Sequence, residues 1–221
     1  MIVVNDGSTD ETGVVASRYR GVRVIDQPNR GPSAARNTGA AAASGDVLLF
    51  LDADDELLPG AVVSLKRALH SFPEAGAVVA NRVLHHPGSE RLLWSNLTED
   101  EVLGRENVPR LILGNDLGMD AAVRRGVWWR HPFREDLRAS EDQAFWIELL
   151  VAGVPIVKLA KVLLRYEVGR QGAASTAKKF MRRQRRQLFH DLSKREDLTR
   201  GERMLSRWMG VRAGIGAVLA R

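Results

Sequence analysis

The 221 residues contain no cysteine, which excludes a disulfide framework, thiolate-bound metal and a cysteine nucleophile. Long apolar runs are missing too. The longest is Val47 to Leu51, far short of the roughly 20 residues a helix needs to cross a bilayer. No export signal is expected from the opening residues. Histidine is scarce, and His85, His86 and His131 lack the partners and spacing of a metal site. What is there is an ordinary globular composition, 44% hydrophobic and 27% charged, with enough chain for one sizeable core or a domain plus an appendage. These features point to a soluble, cytoplasmic protein.

The net charge of +6 hides a division. Residues 176–221 carry 13 Lys and Arg against 4 Asp and Glu, whereas residues 1–175 carry 20 against 23. A solvated helix face is the plainest account of such a tail. Anionic lipid, nucleic acid or an acidic face of the protein itself are the others.

Short apolar runs alternate with helical patterns through the first two thirds, the signal of an α/β domain with a mostly parallel sheet flanked by helices. Ile2 to Val4 reads as a strand ending in the turn Asn5-Asp6-Gly7-Ser8. Ser8 and Glu11 have capping-box spacing, which predicts a helix burying Val14, Val15 and Tyr19. A strand over Val22 to Ile25, a helix over Ser33 to Ala43 and a strand over Val47 to Leu51 follow. The helix after Pro59 places Val62, Leu65 and Leu69 on one face, and Ala77 to Ala80 is another strand. The stretch 82–118 reads as loop, edge strand and short helix. Asp142 to Val151 is a helix capped by Ser140, with Phe145, Trp146 and Leu149 inward, and Ile156 to Tyr166 is extended. A linker over Gly169 to Thr176, a basic helix over 177–195 and a helix near 202–220 complete the chain.

Carboxylates stand just past two predicted strands, where open α/β sheets bind ligands: Asp6 in one turn, and Asp52, Asp54 and Asp55 in the other. Glu141-Asp142 opens a helix as a third acidic pair. Such groups suit Mg²⁺ or Mn²⁺. Taken singly, Asp6 is equally a turn former, and the other acids equally favour the positive ends of their helices.

The ordered set Val3-Val4-Asn5-Asp6-Gly7-Ser8-Thr9-Asp10, Asn29-Arg30-Gly31-Pro32-Ser33-Ala34-Ala35-Arg36-Asn37-Thr38-Gly39 and Phe50-Leu51-Asp52-Ala53-Asp54-Asp55 resembles the family 2 glycosyltransferases of the GT-A fold. Phe133-Arg134-Glu135-Asp136-Leu137, Ser140-Glu141-Asp142 and Phe145-Trp146 continue the likeness. It covers residues 1–175, a GT-A-like domain, and leaves 176–221 as a basic helical tail. The resemblance implies inverting transfer of a sugar, moved from a nucleoside-diphosphate sugar, usually UDP-linked, to the hydroxyl of a saccharide or lipid-linked acceptor. It assigns Asp6 to the base, Arg36 to the nucleotide part of the donor, and Asp52 and Asp54 to the DxD motif with Asp54 on the metal. It assigns Asp142 as catalytic base, with Glu141 supporting it or touching the acceptor.

The family's first strand and helix have no counterpart before Met1, so the domain is expected to lack its first βα unit. Arg165-Tyr166, Arg170 and Ser175 loosely resemble the family's closing stretch over the diphosphate, without its histidine. Trp128-Trp129 reads equally as a sugar-stacking platform or as packing. Arg182, Arg183, Arg185 and Arg186 suit peripheral contact with anionic lipid and an envelope acceptor, or a solvated face. The alternatives are a sugar-phosphate nucleotidyltransferase, or a non-catalytic fragment whose tail binds membrane or nucleic acid. Nucleic acid is the less expected partner.

Overall fold

The computed structural model describes residues 1–86, 88–94, 96–167 and 178–215. The expected linker, with Arg170 and Ser175, lies outside the described residues. The chain opens with β1 (Ile2–Asp6), α1 (Thr12–Ser17) and β2 (Arg23–Gln27), whose strands pair in parallel as a sheet of their own. Next come α2 (Pro32–Ala42), β3 (Val47–Phe50), β4 (Glu56–Leu57) and α3 (Ala61–Ser71). The irregular middle resolves into the long strand β5 (Ala77–His86), the edge strands β6 (Ser89–Leu92) and β7 (Glu101–Leu103), and the short helix α4 (Val108–Leu113). Then β8 (Ala121–Arg124), α5 (Arg125–Arg130), α6 (Glu141–Val151) and β9 (Ile156–Glu167) precede the terminal helices α7 (Lys178–Leu192) and α8 (Arg200–Ile215).

The larger sheet runs β3-β8-β5-β9-β4, with β6 added to β5 and β7 to β9. The α/β class and the flanking helices are as expected, and the sheet is mixed. β5 and β9 pair in parallel, and the remaining pairs of this sheet are antiparallel. β5 is covered on both faces, and its side chains divide by the two-residue period of a strand. Ala77 and Val79 join one core with α4 and α6, while Val78 and Ala80 join another with α3. Leu188, Phe189 and Leu192 of α7, Met209 of α8 and Leu198 from the connection between them belong to the first core. Among the described residues no helix is long and apolar enough to cross a membrane.

Two local expectations are corrected. Ser8 does not start the first helix: the Asn5 side chain accepts the Ser8 N–H at 3.1 Å and closes the turn, and the Asp10 carboxylate takes the Thr12 N–H at 3.0 Å. The helix therefore begins at Thr12, with Glu11 at its N-cap. Val14, Val15 and Tyr19 are 56%, 41% and 65% exposed. α1 is only one and a half turns on a two-stranded sheet, and among the described residues nothing covers its outer side. Val62 likewise stays exposed, because the buried face of α3 is Ala61, Leu65, Ala68 and Leu69 and Val62 lies about 100° away from Ala61 around the helix.

Candidate active site

Asp6 sits at the end of β1, followed by Gly7 in the left-handed region, where a Cβ would come within 2.8 Å of the Asn29 nitrogen. The Asp6 carboxylate accepts hydrogen bonds from Gln27 Nε2 (2.7 Å), Arg30 N (2.9 Å) and Gly31 N (2.8 Å). Burial pushes this carboxyl up, but those donors and the charge of Arg138 outweigh it and hold it below the usual carboxylate range. Asp6 thus fastens the turn that feeds α2, whose first residue is Pro32.

One side of α2 presents Ser33, Arg36 and Asn37, at the three- and four-residue spacings that align along a helix. Ser33 Oγ donates to the Leu137 carbonyl at 3.1 Å. Asn37 donates to the Phe133 carbonyl at 2.9 Å, while its oxygen accepts from Phe133 N (3.0 Å) and Trp128 Nε1 (3.1 Å). Trp128 is therefore a buried packing residue, whereas Trp129 is exposed. Arg36, between these anchors, donates to Asp52 Oδ1 at 2.7 Å and to Glu141 Oε1 at 2.8 Å. Burial disfavours its charge, but the two carboxylates outweigh burial and raise its pKa.

The acids after β3 meet a partner that the sequence did not single out. Asp120, just before β8 and 1% exposed, accepts the Asp52 N–H at 2.9 Å. Its other oxygen takes Arg82 Nη1 at 3.2 Å, and Arg82 also donates to the Leu117 carbonyl. A Cβ at Gly118, which has φ +66°, would collide with this guanidinium. One carboxylate oxygen from each of Asp52, Asp55 and Asp120 lies within 4.8 Å of the others. The Asp55 carboxyl is pushed up to about 8 by burial and then by the charge of Asp120, and its Oδ2 is buried without a partner. Three hard oxygens with one unsatisfied buried acceptor fit Mg²⁺ or Mn²⁺. Asp54 is half-buried nearby and outside that trio. Burial, then the charges of Asp55, Asp54 and Asp52, raise the pKa of the Tyr166 hydroxyl. Arg165 pairs with Glu56 at 2.8 Å.

α6 begins at Glu141, after Ser140 with φ 61° and no side-chain cap. Glu141 turns to Arg36, and Asp142 accepts from Asn115 Nδ2 and Gln143 N, both at 2.7 Å. Burial, then the charge of Glu141, pushes the Asp142 carboxyl up to about 6. Beside it opens a cavity of about 280 Å³, walled by Asn115, Ser140 and Gln143 and, from α7, by Met181, Arg182 and Arg185.

The structure thus joins Arg36, Asp52, Glu141 and Asp142 at one place and sets Asp6 as the staple of the turn before α2. Asp120, Arg82 and Asn115 escaped sequence reasoning. Asp120 had one available signal, a lone acid directly before the apolar stretch Ala121 to Val123.

Residues 1–130 match the model of Glycosyl transferase family 2, a match that ends before Glu141 and Asp142. The chain is similar to the uncharacterized glycosyltransferase EpsJ of Bacillus subtilis (strain 168), with 48% identity over 165 residues, 66% of this chain and 45% of EpsJ. It is also similar to YibD of Escherichia coli (strain K12), an uncharacterized glycosyltransferase, with 44% identity over 63 residues, 27% of this chain and 18% of YibD. The chain spans less than half the length of either relative. Among solved structures, S. aureus TarS 1–349 in complex with UDP-GlcNAc superposes with a TM-score of 0.69 at 18% identity, over 96% of this chain and 61% of that one. The mannosyltransferase PcManGT of Pyrobaculum calidifontis, in complex with GDP-Man and Mn²⁺, gives 0.67 at 18% identity, over 100% and 66%. At that identity the two structures establish a shared fold.

Proposed function

The chain belongs to glycosyl transferase family 2, and from that premise we propose that it moves a sugar from a nucleoside-diphosphate sugar, UDP-linked, to the hydroxyl of a saccharide or lipid-linked acceptor, with inversion. The observation that carries this reading is the Arg36 bridge. One guanidinium ties the acidic turn after β3 to the acidic pair that opens α6. Donor-side and acceptor-side carboxylates, distant in sequence, are thereby held around one space.

Each residue has a task in that space. Asp6 has three of about four acceptor positions filled by the 27–31 turn, which leaves one for an N–H of the base. Arg36 gives two of its five donors to carboxylates and keeps the rest for the donor's phosphates. Asp52, Asp54, Asp55 and Asp120 are the residues that would hold a divalent cation, which when bound offsets negative charge gathering on the leaving diphosphate. Asp142, aimed by Asn115 and by Gln143 N, accepts the proton of the acceptor hydroxyl. As that oxygen bonds to the anomeric carbon, the bond to the diphosphate breaks and its electron pair leaves with the diphosphate. Attack from the face opposite the leaving group inverts the centre, and a single base suffices. A nucleotide-sugar donor goes with a cytoplasmic site of action.

Isothermal titration of UDP with and without Mn²⁺ tests the donor half. Mn²⁺-dependent binding is expected in the natural chain and about tenfold weaker or absent in Asp54→Ala. Unchanged metal-dependent binding would remove Asp54 from the site. Asp142→Asn is expected to keep UDP affinity and lose about 10²–10⁴ in turnover. Because Asp142 acts only when ionised, the natural rate should fall as pH drops through about 6. A rate flat from pH 5 to pH 8 would exclude it as the base.

A further inference from the structure

The sequence offers four arginines on α7 as one basic patch, but the helix sorts them. Arg183 and Arg186 face solvent, while Arg182 and Arg185, three residues apart on the other side, line the cavity that holds Asp142. We infer that this cavity binds an acceptor carrying an anionic group, a phosphate or carboxylate, which Arg185 and Arg182 grip while its hydroxyl faces Asp142. The inference rests on the transferase reading of Asp142 given above.

Arg185 is the informative residue. Its Nε is buried without a hydrogen-bond partner, it forms no ion pair among the described residues, and its guanidinium lies over the Phe189 ring at 5.5 Å. Burial lowers its pKa, opposed by the nearby charge of Asp142, with Arg212 adding to the lowering. A half-buried cation with a buried, unused donor is costly unless something completes it. No carboxylate of the described chain does so, which leaves the task to a ligand in the cavity. The planar guanidinium fork matches phosphate and carboxylate oxygens.

Helix α7 is held too firmly for this placement to be incidental. Gln184 accepts the Arg138 N–H at 2.6 Å, Gln187 donates to Asp136 at 3.0 Å, and Asp191 pairs with Arg134 at 2.6 Å. Leu188, Phe189 and Leu192 of the same helix are in the core. Charge sorts the occupants as well. A neutral polyol offers Arg185 only dipoles, whereas a phosphate or carboxylate offers it a charge and paired oxygens. A volume of about 280 Å³ suits a group the size of a small sugar or polyol phosphate.

The test titrates the full chain with glycerol 1-phosphate and with glycerol, followed by NMR. Saturable binding of glycerol 1-phosphate at least about tenfold tighter than glycerol is expected, reduced about tenfold in Arg185→Gln and only partly recovered in Arg185→Lys, which keeps the charge and lacks the fork. Equal binding of the two probes by the natural chain overturns the inference, and that comparison stands even where a variant fails to fold. Unchanged glycerol 1-phosphate affinity in folded Arg185→Gln overturns it also. Farnesyl phosphate in a third arm separates the sources. Tighter binding than glycerol 1-phosphate, still dependent on Arg185, supports a lipid-linked phosphate; equal Arg185-dependent binding supports a soluble or polymeric one. UDP is titrated separately. Phosphate binding through Arg185 without UDP binding keeps the anion site and removes the transferase reading, whereas UDP binding with no preference for the phosphate removes the anion site alone.

Discussion

The first βαβ unit and the terminal helices have exchanged the places that composition suggests for them. α1 carries an apolar pattern and buries none of its residues, whereas α7 and α8, from the most basic stretch, place Leu188, Phe189, Leu192 and Met209 in the core. Periodicity tells which side of a helix is apolar, and only the neighbouring elements decide whether that side is covered. Charge count says less still. An arginine-rich helix buries a narrow stripe as readily as any other, provided its apolar residues recur every three or four positions.

Mutations on the two sides of this contrast should differ widely. Phe189→Ala empties a fully buried site and is expected to cost about 3–5 kcal/mol by urea denaturation, in a single transition. A separate early transition would show the terminal helices to be an independent unit instead. Asp6→Ala acts in the first unit, but through polar bonds, leaving the Arg30 and Gly31 N–H groups without their acceptor, a loss of about 1–2 kcal/mol at neutral pH. Since folding lowers the Asp6 pKa from 3.8, this contribution is present above that value and disappears as pH falls through the folded pKa. Natural and variant stabilities should therefore converge in acid, and a gap that persists would assign the loss to something other than the charge. Val15→Ser, on the exposed side of α1, should stay within about 0.5 kcal/mol. A loss above 2 kcal/mol there would reveal a cover over α1 in solution.

Much of the architecture was legible because its signals are local. β1, α2, β3 and α6 follow from apolar runs stopped by Gly, Pro and Asp clusters, and the acids at their ends could be named from those boundaries. The Arg82–Asp120 pair was not legible. Its partners sit 38 positions apart in a stretch without clear periodicity, and neither residue type announces that it will be buried. The division of the α7 arginines was hidden for a different reason. Their spacing alone separates 182 and 185 from 183 and 186, but it takes the packing of Leu188 and Phe189 to say which pair turns inward. The sequence placed Asp142 at the start of a helix, while its partner Asn115 comes from the turn after α4.

Among the described residues, Ser140 is the only one other than glycine with a left-handed backbone, and it stands directly before Glu141 and Asp142. An L-residue in that conformation is strained by about 1–2 kcal/mol, a tension the surrounding packing has to sustain. Relaxing it with glycine would toughen the fold and at the same time let the acidic pair wander, so for the base proposed above durability and turnover pull against each other at this one position.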